Sequence, residues 1–153
     1  MHTIDHLRHL FEYDDWANRL TIEALEAATS EKALRILAHL LITEQEYFER
    51  LGGKDSTGFD FWSDLDLLRC EDLATRVSEN YASLLEEADE SLLDKIASYR
   101  TSEGIPHENT FRDLLTHVLF HSSIHRGNIV LKMREEGLEP PKVDYILYLR
   151  EHG

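Results

Sequence analysis

The stretch FRDLLTHVLFHSSIHRGNI, residues 111–129, places histidines at 117, 121 and 125 inside one helical pattern. Phe111, Leu114 and Val118 recur at steps of three and four, as the core face of an amphipathic helix does. Continued at that spacing, the line runs through His121, His125 and Asn128, and His117 falls one residue off it, toward the flank. An inward imidazole without partners is costly. Residues eight apart on a helix are separated by about 12 Å along its axis, whereas metal–nitrogen bonds are about 2.1 Å long. The three histidines therefore cannot share one ion on an intact helix. An adjacent pair can, and the stripe selects His121 and His125, leaving His117 as a neighbouring or surface group.

Working outward, Gly and Pro are scarce and cluster at LGGKDSTGFDF, YRTSEGIPHENT and EEGLEPPK. These marks divide the chain into four long helical segments. The first runs from about Ile4 to Ala27, with Leu7, Leu10, Tyr13, Ala17, Leu20 and Ala24 as its stripe. The second runs from an N-cap at Ser30 to Leu51, stopped by Gly52 and Gly53. The third spans about 71–97, and the fourth about 110–136, with Thr110 and Asp113 forming a capping-box-like start and Gly137 ending it. The spacing predicts an all-α four-helix bundle occupying residues 1–153 as one domain. The long loop after the second helix carries Phe59, Phe61, Trp62 and Leu65, so it is expected to pack on the helices. SYRTSEGIPHENT reads as a short hairpin, and VDYILYLRE as a short closing helix.

Composition narrows the partners. The formal net charge is −14, which opposes nucleic acid and anionic lipid. No apolar run is long enough to span a bilayer. The N-terminus is charged from its fifth residue, unlike a secretory signal. The single cysteine, Cys70, fits a reducing cytosol, and nothing near it in sequence suggests a nucleophile.

A third ligand has to come from another helix, and His39, embedded in RILAHLLITEQEYF, is the best candidate. His107 lies in a loop, His152 at the terminus, and His2, His6 and His9 in a segment expected to fray. The pattern lacks the glutamate of H-E-x-x-H, and the Glu-x-x-His pairs of a di-iron bundle are missing. Glu44 shares the stripe Leu37, Leu41, Glu44, Phe48 and can serve as a fourth ligand, a hydrogen-bond partner or a general base. The plainer expectation is a partly exposed glutamate at the bundle edge.

The chain resembles the DinB family, the damage-inducible DinB/YfiT-like metal-binding bundles of bacteria. YDDWANRL at 13–20 is similar to the family's first-helix motif, and AHLLITEQEYFERL at 38–51 to its second. YRTSEGIPHENTFRDLLTHVLFHSSIHRGNI at 99–129 is similar to its hairpin and H-x-x-x-H-x-x-x-H-R-G-Q run, and DYILYLRE to its closing motif. Asn128 stands where the family usually has Gln, and Asp14 where it usually has Asn. The resemblance implies an up-down-down-up bundle with a long crossover between helices two and three, usually a homodimer. It also implies one divalent ion held by His39, His121 and His125, with Zn²⁺ or Ni²⁺ suiting imidazole and Fe²⁺ or Mn²⁺ alternatives. The expected function is a cytoplasmic metal-dependent enzyme, a thiol-dependent S-transferase or hydrolase, that activates water or a low-molecular-weight thiol toward a small substrate. The competing expectation is a non-catalytic stress-induced protein with a structural or sensory metal.

Overall fold

A computed structural model describes residues 2–153. Helix α1 spans Thr3–Ala27, α2 Glu31–Leu51, α3 Leu67–Glu87 and α4 Phe111–Glu135. A 3-10 turn at Glu90–Asp94 leads into strands β1, Ile96–Arg100, and β2, Pro106–Thr110, and α5 closes the chain at Tyr145–His152. The caps are those the sequence indicated. Ser30 Oγ accepts from the Ala33 amide at 3.1 Å and Thr110 Oγ1 from that of Asp113 at 3.1 Å, satisfying donors that a helix start leaves free. Gly137 adopts φ 74° just past α4, a backbone state that glycine takes without steric cost.

Four helices form the bundle, and α1 packs mainly on α3 while α2 packs mainly on α4. Arg8 Nε of α1 reaches the Leu85 carbonyl of α3 at 2.6 Å, and Arg19 Nη2 meets Thr75 Oγ1 at 3.0 Å. Those two contacts run α1 and α3 in opposite directions. His39 beside His125, and Tyr47 beside His117, do the same for α2 and α4. Leu37, Leu40, Leu41, Ile129 and Met133 fill one half of the interior, and Phe11, Val77, Tyr81, Leu85 and Leu115 the other.

Helix three ends well before residue 97. Asp89 accepts from the Ser91 amide at 3.0 Å, and the chain re-enters as a 3-10 turn that buries Leu93. A short acid that caps a new turn outcompetes continued helix. The N-terminal segment does not fray either: Ile4 and Leu7 are buried, and the Ile4 amide donates to Glu90 Oε1 at 2.9 Å.

The hairpin is antiparallel, with Ser98 opposite Glu108. The crossover, residues 52–66, is tied to it: the Ser56 amide donates to the Arg100 carbonyl at 3.0 Å and the Gly58 amide to that of Ser102 at 2.9 Å. This anchoring fixes Phe59, Phe61 and Trp62 over one end of α2 and α4. No described helix is long and apolar enough to cross a membrane.

Candidate metal centre

The two helices that contribute histidines do so from opposed faces. His39 sits just before the middle of α2, and His121 and His125 stand one turn apart on α4. One nitrogen from each lies within 4.8 Å of the others. Three 2.1 Å bonds to a tetrahedral ion need nitrogens about 3.4 Å apart, so the cluster is compatible with holding a metal. The rings meet edge to face, with centroids 4.6 Å apart for His39 and His125 and 4.4 Å for His121 and His125.

His39 is held from two sides. Its Nδ1 lies 2.7 Å from the Phe61 carbonyl oxygen. A carbonyl only accepts, so Nδ1 carries the proton and Nε2 keeps the lone pair. This is the arrangement by which a backbone carbonyl fixes the tautomer of a ligating histidine. On the ring's face lies Trp62, parallel at 3.7 Å.

Burial pushes all three imidazoles toward the neutral form. It lowers the His39 value, and it lowers that of His125 with help from His39. His121 is pulled down to about 4, first by desolvation and then by His125, His39 and His117. Its Nδ1 is buried with no hydrogen-bond partner. Neutral imidazoles with lone pairs and an orphaned ring nitrogen form a donor set that fits a divalent ion.

The α4 line needs a correction. Its buried stripe runs from Phe111, Leu114 and Val118 through Ser122, Arg126, Ile129 and Met133. His121 and His125 lie half-buried on its edge, and Asn128 is exposed. The interior positions go to a polar network instead. Arg126 Nη1 donates to Asp14 Oδ1 at 2.6 Å and to Asn18 Oδ1 at 2.8 Å. Glu44 is not at the bundle edge but wholly buried, accepting from Asn18 Nδ2 at 3.0 Å and Ser122 Oγ at 2.7 Å. Desolvation, then the Asp14 carboxylate, push its pKa well above the ordinary range. The structure thus places Glu44 behind the histidine cluster, joined to it through Ser122, the neighbour of His121.

His117 is exposed, 5.7 Å from the His121 ring and 5.0 Å from that of Tyr47. The remaining histidines lie elsewhere: His107 on β2, and His9 and His152 against Tyr148 of α5. Cys70 is buried, and burial raises its thiol to about 12, the opposite of an activated nucleophile.

The DinB family pattern matches residues 2–152. The chain belongs to the DinB family. A DinB protein of Bacillus subtilis (strain 168) is 29% identical over 159 aligned positions, covering 92% of this chain and 91% of that relative. No solved structure matches. As a DinB family member with this histidine cluster, the chain is compatible with metal binding.

Beside the cluster opens a cleft of about 550 Å³. His39, Thr43 and His121 line it together with Phe61 and Trp62 of the crossover and with Arg50 and His117. Thr43 and Arg50 both fall inside the second-helix motif at 38–51, but the sequence assigns neither a role, because helical periodicity marks neither as a site residue. The aromatic loop over them was legible as a packed segment.

Proposed function

We propose that this DinB-family member is a metal-dependent enzyme working as a single domain in the cytosol. His39, His121 and His125 hold one divalent ion, Zn²⁺ or Ni²⁺ in preference to Fe²⁺ or Mn²⁺. The observation that carries the reading is the cleft beside the cluster: His39 and His121 line it, and His121 and His125 are only half-buried, so one side of the cluster faces solvent. A structural site is closed by a fourth protein ligand, whereas a catalytic one keeps a position free.

When bound, the ion supplies Lewis acidity that activates a water or a small thiol. The chain's own residues do the rest. Phe61 fixes the His39 tautomer, and Trp62 holds its ring in place. The aromatic overhang excludes bulk water from one side. Glu44 and Ser122 brace the start of the turn that carries His121 and His125. We also infer a homodimer. Its support is an exposed apolar stripe on α4, rather than on helix one or the closing segment.

Elemental analysis of tag-free protein, wild type beside His121→Ala, tests the site. About one equivalent of metal, absent from the variant, is expected. Turnover of small electrophiles by metal-loaded protein with water or a low-molecular-weight thiol tests the activity. A protein that takes up no ion after incubation with Zn²⁺ and Ni²⁺ would sink the reading.

A further inference from the structure

The cleft over the histidines contains a cation that the metal reading does not use. Arg50, in the last turn of α2, is only 4% exposed. Its Nε donates to Ser56 Oγ at 3.0 Å. Its guanidinium carbon lies over the rings of Tyr47 at 4.7 Å, Tyr99 at 4.8 Å and Phe61 at 5.3 Å. The acids near it on its own helix are engaged by another group: Lys54 Nζ takes Glu46 at 2.6 Å and Glu49 at 3.3 Å. Among the described residues no carboxylate stands within ion-pair distance of Arg50.

Arg126 is paired with Asp14 at 2.6 Å, the compensation a buried guanidinium ordinarily requires. Arg50 meets aromatic faces and the Ser56 hydroxyl, which itself donates to Glu46 Oε2 at 2.8 Å, so a carboxylate reaches it only through that hydroxyl. Its planar fork matches a carboxylate bidentately.

Thr43 supplies an independent observation. It is 2% exposed, and its Oγ1 has no hydrogen-bond partner. A threonine in a helix ordinarily returns its hydroxyl to the carbonyl four residues back, as Thr21 does to Ala17 at 2.8 Å. Thr43 does not, and it lines the same cleft as Arg50, His39 and His121. A cation with no direct ion pair and an unused hydroxyl thus line one cleft with His39 and His121, which Asp60 also lines.

We propose that this cleft binds the carboxylate of a small, flat organic acid. Arg50 grips the carboxylate and Thr43 donates a hydrogen bond to the ligand. The body rests on Tyr47, Phe61 and Trp62, with its far end turned toward His39, His121 and His125. The far-end orientation rests on the metal-enzyme reading, and the grip on the carboxylate does not. A singly charged acid is matched by one guanidinium. A doubly charged phosphate would need a second cation, and none lines the cleft among the described residues.

The test titrates benzoate and its uncharged counterpart benzamide into zinc-loaded and chelator-stripped protein, reading Trp62 fluorescence and ligand NMR. Benzoate is expected to bind both forms at least ten-fold more tightly than benzamide. Arg50→Gln should reduce benzoate to the benzamide level with zinc content unchanged, and Thr43→Val should weaken benzoate several-fold. Absence of benzoate binding, equal binding of benzamide, or an undiminished Arg50→Gln would overturn the proposal. Benzoate that binds only zinc-loaded protein and survives Arg50→Gln sits on the ion: the grip is then refuted while the metal reading stands. Arg50-dependent binding in a protein that takes up no zinc refutes the metal reading and supports the grip. Should Arg50→Gln fail to fold, the acid–amide comparison in wild type and the Thr43→Val titration decide the matter.

Discussion

The indole of Trp62 lies flat on the imidazole of His39, with 3.7 Å between centroids and parallel planes. The loop that delivers Trp62 also delivers the Phe61 carbonyl to Nδ1 of the same ring. One short segment therefore sets both the tautomer and the orientation of a proposed ligand. Removing such support around a metal ligand typically costs about 10–100-fold in affinity. Trp62→Ala is expected to weaken zinc binding about ten-fold, measured by competition with a chromogenic chelator. Ni²⁺ should quench the emission of wild-type protein, and Trp62→Phe should lose that quenching while Trp16→Phe keeps it. Unchanged affinity and quenching in both variants would show that the stack has no part in binding.

Glu44 makes a prediction about pH. Its folded-state pKa is raised above the ordinary 4.5 by burial and then by Asp14. Between that ordinary value and the folded one, the folded protein holds a proton that the unfolded chain has released. Stability from this group is complete at low pH and is lost as pH rises through the folded value. Glu44→Gln keeps the shape and has no proton to lose; its amide oxygen can accept from Asn18 Nδ2 while its amide nitrogen donates to Ser122 Oγ, reversing that bond. At pH 6 it should be within about 1 kcal/mol of wild type, and it should gain on wild type as pH rises toward 9. Urea midpoints across that range check this. Parallel curves for the two proteins would mean that the buried carboxyl is ionised throughout.

The Asp14–Arg126 pair links α1 to α4 in the interior. Breaking a buried pair by removing one partner leaves an uncompensated charge and typically costs about 3–5 kcal/mol. Arg126→Met and Asp14→Leu should each destabilise by that order in urea unfolding. The double variant Asp14→Leu, Arg126→Met should recover much of the loss, since neither charge remains. Additive losses in the cycle would show that the two residues are not coupled.

This pair also explains which parts of the fold could be read from sequence. The helix count, the caps at Ser30 and Thr110, the hairpin and the three clustered histidines all follow local rules of spacing and capping. The buried faces of α1 and α4 do not. Reading apolar residues alone gave α1 a stripe through Leu10, Tyr13 and Leu20, which are only partly buried. The true face runs Ile4, Leu7, Phe11, Asp14, Asn18, Thr21 and Leu25. On α4 the interior positions are Ser122 and Arg126, which a hydrophobic pattern skips. Polar residues that satisfy one another across helices are invisible to periodicity, because the partner lies about a hundred residues away in sequence. The site pair on α4 was reached by a line one residue off the core, which crosses the histidines because they flank it.

The outer face of α4 supports a last prediction. Phe120, Ile124 and Leu131 are 67%, 64% and 56% exposed, and they fall on one stripe with Gly127 between them. A Cβ added at Gly127 would meet nothing within 4 Å, so the helix backbone is open to close approach at that point. Large apolar side chains gathered on one helix face mark an association surface more than scattered ones do. In a two-fold dimer the same stripe meets itself, so Ile124 near its centre packs against its own copy or against Phe120. Sedimentation velocity should show a dimer for wild type, and a monomer for Ile124→Glu combined with Phe120→Glu. Because these side chains point away from the bundle, the variant should keep its helical signal and its metal content. A wild type that sediments as a monomer, or a variant that remains dimeric, would place any interface elsewhere. If the variant is monomeric and keeps its metal, each histidine cluster is complete within one chain.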